Sequence, residues 1–227
     1  MPTVLITGAN LGIGLEFSRQ YLAKDWRVIA TCRDPRQANE LSALSGDITV
    51  ESLDVSDHAQ IQSVAKSLKR ENIDVLMNNA GIHGPRPSRV GGIDYDAWAD
   101  VLRINTMGPM KVSEAFVEHI ARSEQKKIVT ISSRMGSITD NESGGAYPYR
   151  SSKAAVNAVM KSLAVDLKPR GITVVVFHPG WVSTDMGGPS APVEPETSVA
   201  GVIKVVEKVK LSDSGKFLNY GGKKVAW

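Results

Sequence analysis

Short apolar, β-branched runs recur along the chain at residues 4–7, 27–31, 48–53, 75–77, 128–131 and 173–177, with a weaker seventh at 217–220. Several are apolar without alternation, which is the pattern of strands covered on both faces of a sheet. Between them lie stretches whose apolar positions recur at the spacing of one helix face: residues 15–24, 57–70, 96–122, 149–168 and 197–210. This alternation predicts an α/β fold, a Rossmann-like, doubly wound, mostly parallel seven-stranded sheet with helices on both faces. No repeat, low-complexity stretch or linker divides the chain, so residues 1–227 read as a single domain. Two segments, 83–92 and 187–195, are rich in Gly and Pro and read as irregular exposed loops.

Composition narrows the class of function. The 227 residues carry a formal net charge of +3, too weak and too dispersed for a nucleic-acid partner. The single cysteine, Cys32, permits no internal disulfide and no zinc cluster. His83, His119 and His178 lack metal-ligand spacing, and His178, just before Pro179, reads as structural. The first residues show no basic-then-apolar signal, and no apolar run approaches the ~18 residues of a membrane span. A cytoplasmic protein with no membrane partner is expected.

The first strand runs straight into Thr7-Gly8-Ala9-Asn10-Leu11-Gly12-Ile13-Gly14, followed by a helix. Glycines in that place let the chain turn tightly and let a pyrophosphate approach backbone N–H groups at a helix N-terminus. The spacing is neither GxGxxG nor GxxxxGK[ST], so the turn alone indicates dinucleotide binding only weakly. The end of the second strand adds cofactor choice. An acidic residue there would accept the ribose 2′-OH of NAD, whereas an Arg suits the 2′-phosphate of NADP. The run is Ala30-Thr31-Cys32-Arg33-Asp34-Pro35. Asp34 before Pro35 reads as a helix cap. Arg33 is left to grip a phosphate, and NADP(H) is expected, with NAD(H) as the alternative.

Tyr149 and Lys153 are four apart at a predicted helix start, so phenol and ammonium share one face. A nearby cation is expected to lower the phenol pKa from its ordinary ~10 and make it useful for proton transfer. Ser132 and Ser133 end the preceding strand, at the sheet edge where ligands of open α/β folds bind. Ser132 reads as a turn residue.

Taken in order, these motifs resemble the short-chain dehydrogenase/reductase family over most of the chain. The glycine turn is similar to TGxxxGxG, Leu53-Asp54-Val55 to the adenine-binding segment, Asn78-Asn79-Ala80-Gly81 to NNAG, and Pro179-Gly180 with Thr184 to PGxxxT. The runs His178-Pro179-Gly180-Trp181-Val182-Ser183-Thr184 and Phe217-Leu218-Asn219-Tyr220-Gly221 resemble sniffer-type carbonyl reductases and C-factor-like members. The resemblance implies a catalytic set of Asn105, Ser133, Tyr149 and Lys153. Asn105 would hold a water on the proton path to Lys153, which would also bind the nicotinamide ribose. It implies a cofactor site of Gly8, Asn10, Leu11, Gly12, Ile13, Gly14, Arg33, Asp54, Val55, Asn79, Ala80, Gly81, Tyr149, Lys153, Pro179, Gly180, Val182 and Thr184, with Thr184 on the carboxamide. The implied reaction moves a hydride between NADP(H) and a small carbonyl or alcohol substrate, in a homodimer or homotetramer.

Two departures stand out. Leu11 occupies a position that is basic in some NADP-dependent members, and the Ser133–Tyr149 interval of sixteen is long, with residues 140–145 as a polar surface turn. A non-catalytic dinucleotide sensor or C-factor-like signalling protein is the competing reading. An extended epimerase would need a sizeable substrate domain, and only about forty residues follow Thr184.

Overall fold

Seven strands form one all-parallel sheet: β1 (Thr3–Thr7), β2 (Arg27–Cys32), β3 (Ile48–Ser52), β4 (Val75–Asn78), β5 (Lys127–Ile131), β6 (Thr173–His178) and β7 (Phe217–Asn219). The computed structural model describes residues 1–86 and 88–227. The strand order is β3-β2-β1-β4-β5-β6-β7. The chain therefore winds one way from β1 to β3 and the other from β4 onward. The reversal opens a crevice past the C-terminal ends of β1 and β4, the usual ligand position in such sheets.

The helices are α1 (Gly12–Leu22), the single turn α2 (Asn39–Ser42), α3 (His58–Ser67), α4 (Tyr95–Leu102), α5 (Gly108–Ala121), α6 (Tyr147–Leu167) and α7 (Pro195–Lys208). Side chains alternate through the sheet. Leu5 packs with Phe116, Ile120, Val156 and Met160 of α5 and α6, while Val4 and Ile6 pack with Phe17, Tyr21, Val199 and Val202 of α1 and α7. All five β1 residues are buried, which is why that run shows no polar alternation.

The helix expected over 96–122 runs without interruption from Tyr95 to Ala121, but it is not α-helical throughout. Between α4 and α5 the chain widens into a π-helical turn, Arg103–Met107. Pro109 supplies the reason. It has no N–H to give the carbonyl four residues earlier, that of Asn105, and its ring crowds that carbonyl. Such wide turns recur at functional sites. Helix α6 begins at Tyr147, two residues earlier than expected, with Pro148 in its first turn. The 187–195 segment is irregular except at its edge: Val193 bridges Val182, and Pro195 is already the first residue of α7. No helix among the described residues is long and apolar enough to cross a membrane.

Candidate active site

A cleft of about 1050 Å³ lies over the β1/β4 crevice. That is slightly beyond the ~300–1,000 Å³ typical of a single small-molecule site. Its floor is the glycine turn. Gly8 and Gly12 have φ of 65° and 53°, in the left-handed region. A Cβ on Gly14 would stand 2.0 Å from the Gly8 carbonyl oxygen, so the turn closes only with glycine there. Two polar groups pin it to β4. The Thr7 hydroxyl oxygen accepts from the backbone N–H groups of Asn79 (3.0 Å) and Ala80 (3.1 Å). Asn79 Nδ2 donates to the Thr7 and Gly8 carbonyls, both at 3.0 Å. The Asn79 side chain thus holds the turn in shape.

Helix α1 starts in this turn with Leu11 at its N-cap. No side chain caps it and no acidic residue stands in its first turn. The orphan N–H groups of Gly12, Ile13 and Gly14, with the helix dipole behind them, face the cleft as an anion site. Asn10 and Leu11 line the same wall, and Leu11 is exposed. At the far end stand Cys32, Arg33, Asp54 and Val55. Asp34 is a cap, as expected: its carboxylate accepts from the Arg36 backbone N–H and Nε, both at 3.1 Å, and from Gln37 Nε2 at 2.9 Å. Arg36 and Gln37 hold its carboxyl below the usual range. Asp54 has its Oδ1 engaged by the Ser56 N–H (2.8 Å) and hydroxyl (2.6 Å).

Ser133, Tyr149 and Lys153 line the middle of the cleft together with Ala80, Gly81, Pro179, Gly180, Val182 and Thr184. Tyr149 stands in the first turn of α6, three residues after the N-cap Ala146, whose φ of 48° is strained for a residue with a Cβ. Lys153, one turn on, carries Nζ 5.7 Å from the Tyr149 ring centroid, so the shared face expected from their spacing is realised. Its Nζ donates to the Ile131 carbonyl at 3.0 Å, and burial pushes its pKa down to about 8.

The phenol differs from expectation. Its pKa is raised, because burial outweighs the opposing influence of the Ser133 side chain and the Arg86 charge. The Lys153 ammonium lies toward the ring and is itself desolvated, so it does not drive the value down.

Asn105 lies behind the cleft wall, 1% exposed. Its Oδ1 accepts from the Ile82 N–H at 2.9 Å, and its Nδ2 donates to the Ile82 carbonyl at 2.8 Å and to the Ser152 hydroxyl at 3.0 Å. A Cβ built on Gly81 would meet Asn105 Oδ1 at 3.1 Å and Lys153 Nζ at 3.5 Å. The glycine therefore lets those two groups converge. Ser132 is structural, as read: it is buried and its hydroxyl donates to Asn157 Oδ1 at 2.7 Å. His178 is structural too, its Nδ1 accepting from the Arg134 N–H at 3.2 Å, with burial lowering its pKa to about 4. Thr184 Oγ1 accepts from the Gly187 N–H at 3.2 Å, and Trp181 Nε1 donates to the Gly187 carbonyl at 2.8 Å. The 140–145 turn is held by Arg150, which donates to the Ser143 hydroxyl at 2.7 Å.

Two side chains at the centre escaped the spacing arguments. The His83 ring lies on the Tyr149 ring, centroids 4.6 Å apart and 14° from parallel. Arg86 donates from Nε to His83 Nδ1 at 2.9 Å and from Nη2 to the Met186 carbonyl at 3.1 Å. The available signal was position: their loop follows the C-terminal end of β4, where this architecture places its ligands.

Residues 2–194 match the family described as short chain dehydrogenase, and the chain belongs to that family of oxidoreductases. The C-signal of Myxococcus xanthus is 41% identical over 155 residues, covering 68% of this chain and 93% of its own. The carbonyl reductase Sniffer of D. melanogaster superposes with a TM-score of 0.92 at 34% identity, over the whole of both chains. An NADPH-bound carbonyl reductase from chicken fatty liver does so with a TM-score of 0.92 at 36% identity, over 100% of this chain and 99% of its own.

Proposed function

We propose that the chain is an NADP(H)-dependent carbonyl reductase with Tyr149 as the general acid. The observation that carries this reading is the convergence of Ser133, Tyr149 and Lys153 in one cleft with an uncapped helix N-terminus. The residues fit the cofactor. The free N–H groups of α1 would receive the pyrophosphate, Arg33 would hold the 2′-phosphate, and Asp54 and Val55 would border the adenine. Pro179, Gly180, Val182 and Thr184 would hold the nicotinamide, and Lys153 its ribose. Bound NADPH supplies the hydride that reaches the carbonyl carbon.

The chain's own groups do the rest. The Ser133 hydroxyl and the Tyr149 phenol orient the carbonyl oxygen, and Tyr149 Oη gives that oxygen its proton. A phenol whose pKa is raised stays protonated at neutral pH, which suits it to reduction. The Asn105 main-chain carbonyl, deprived of its N–H partner by Pro109, offers a water a place on the way to Lys153. The substrate is a small carbonyl or alcohol compound, and the protein works in the cytoplasm.

An assay of NADPH oxidation against a panel of aldehydes and ketones tests the reading. Turnover of at least one of them is expected. Tight NADPH binding with no turnover on any would favour the second reading, a nucleotide-binding signalling protein. The likeness to the Myxococcus xanthus C-signal supports that alternative.

Association is expected through α5 and α6. Val165 of α6 and, beside α5, Met107 are exposed at 63% and 55%, apolar surface that a second subunit packed on these helices would cover. Light scattering at micromolar concentration should give the mass of a dimer or tetramer, and Val165→Glu should shift it toward the monomer. A monomeric wild type would contradict this.

A further inference from the structure

The substrate half of the cleft has an unbalanced charge. Arg86, Arg89, Arg134 and Arg150 line it, against Asp140 as the carboxylate among the described residues there. Asp54 belongs to the opposite, adenine end. Two of the four guanidinium groups are already committed. Arg134 faces Asp140 at 3.8 Å, and Arg150 donates to the Gly144 and Met135 carbonyls and to the Ser143 hydroxyl.

Arg86 is different. Its partners are the His83 imidazole and the Met186 carbonyl, both uncharged. The imidazole is neutral as well as an acceptor, because burial and the Arg86 charge hold its pKa below the ordinary value. Among the described residues no carboxylate lies within 4.0 Å of the Arg86 or Arg89 guanidinium. Two of the five N–H donors of Arg86 are engaged with described residues, and the group is anchored at both of them. It is thus a preorganised cation without a counter-charge, held on the His83 ring that stacks on Tyr149. A guanidinium in that state matches a carboxylate in shape, charge and donor number.

We propose that Arg86 is a specificity-determining residue that selects carbonyl substrates carrying a carboxylate. The carbonyl sits at Tyr149 and the anion on the Arg86 guanidinium, with Arg89 on the same loop adding to the local field. The proposal rests on the reductase reading above. The competing role for Arg86 is mechanical, a latch joining the loop after β4 to the Met186 segment. A latch would act on every substrate alike, whereas an anion contact would act on the charged one.

The test uses 4-carboxybenzaldehyde and its methyl ester, followed by NADPH oxidation. The ester group withdraws electrons more strongly than the carboxylate, so intrinsic reactivity favours the ester and any preference for the acid comes from binding. Wild type should favour the acid by about tenfold or more in kcat/KM, the size of one charge-assisted contact. The preference should shrink as ionic strength rises. Arg86→Gln should collapse the acid-to-ester ratio through the KM of the acid, and Arg86→Lys should restore part of it. A wild type indifferent to the carboxylate, or an Arg86→Gln variant that lowers both substrates equally, overturns the proposal while leaving the reductase standing.

A second measurement separates the two readings. Calorimetry follows binding of 4-(hydroxymethyl)benzoate to the protein–NADP+ complex. Binding that Arg86→Gln abolishes, with no turnover of any carbonyl, keeps the anion site and removes the reductase. Absence of that binding in wild type overturns the anion site.

Discussion

Tyr149→Phe is expected to lower kcat for carbonyl reduction by about 10²–10⁴, the usual contribution of a positioned acid, while NADPH still binds. The substitution removes one oxygen and little else. The ring is buried in the first turn of α6, stacked on His83 at 4.6 Å and faced by Lys153 Nζ at 5.7 Å, and a phenyl ring keeps that packing. The glycine turn and the α1 N-terminus belong to other elements, so the anion site stays intact. Cofactor binding can be read by fluorescence and turnover by loss of NADPH absorbance. A Phe variant with more than about a tenth of wild-type turnover would remove Tyr149 from the mechanism.

The pH profile of the wild type adds a second reading of the same pair. The acid must be protonated, and its pKa lies above the ordinary phenol value, so the phenol holds its proton throughout the neutral range. Lys153, pushed down to about 8, loses its charge first as pH rises. Reduction should therefore be flat through neutrality and begin to fall near pH 8, as Lys153 loses its charge ahead of the phenol. A rate that kept climbing beyond pH 9 would contradict that order.

The strands were legible because this sheet is covered on both faces. An uninterrupted apolar run, Val-Leu-Ile at β1 or Val-Val-Val-Phe at β6, is what a strand buried on both faces looks like, and even the three-residue β7 carries enough Phe and Leu to be read. The Tyr149–Lys153 pair was legible because a spacing of four fixes a helical face. Cap chemistry made Asp34 readable from its place before Pro35. What escaped depends on contacts between distant parts of the chain. Pro109 was visible, but its effect falls on the carbonyl of Asn105 and widens one turn within a long helix. The direction of the Tyr149 shift needed the burial of the phenol, which no local spacing encodes. His83 and Arg86 sit in a Gly- and Pro-rich loop without periodicity, and only the fold brings them onto the tyrosine ring and the Met186 carbonyl.

Arg33→Asp is expected to lower the ratio of kcat/KM for NADPH over that for NADH by about 10–100-fold or more. The lower figure is the loss of a charge-assisted phosphate contact, and repulsion by the new carboxylate adds to it. Local structure favours so large an effect. Arg33 follows the buried Cys32 at the end of β2, on the cleft wall, and no carboxylate among the described residues pairs with it. Its neighbour Asp34 would have been the natural ribose partner for NADH. That carboxylate is already taken up by the Arg36 N–H, the Arg36 guanidinium and Gln37, so it competes neither for Arg33 nor for a 2′-hydroxyl. The same pairing draws Arg36 toward Asp34 and leaves Arg33 as the cation available to a 2′-phosphate. An Asp at position 33 supplies the missing hydroxyl acceptor and repels the phosphate, so NADH should gain as NADPH loses. Salt offers an independent check. NADPH affinity of the wild type should weaken as ionic strength rises, and the variant's NADH affinity should depend on it less steeply. A wild type that prefers NADH, or a variant with an unchanged ratio, would make Arg33 a solvated surface charge and return the cofactor assignment to Asp54 and the α1 N-terminus, which do not distinguish the two dinucleotides.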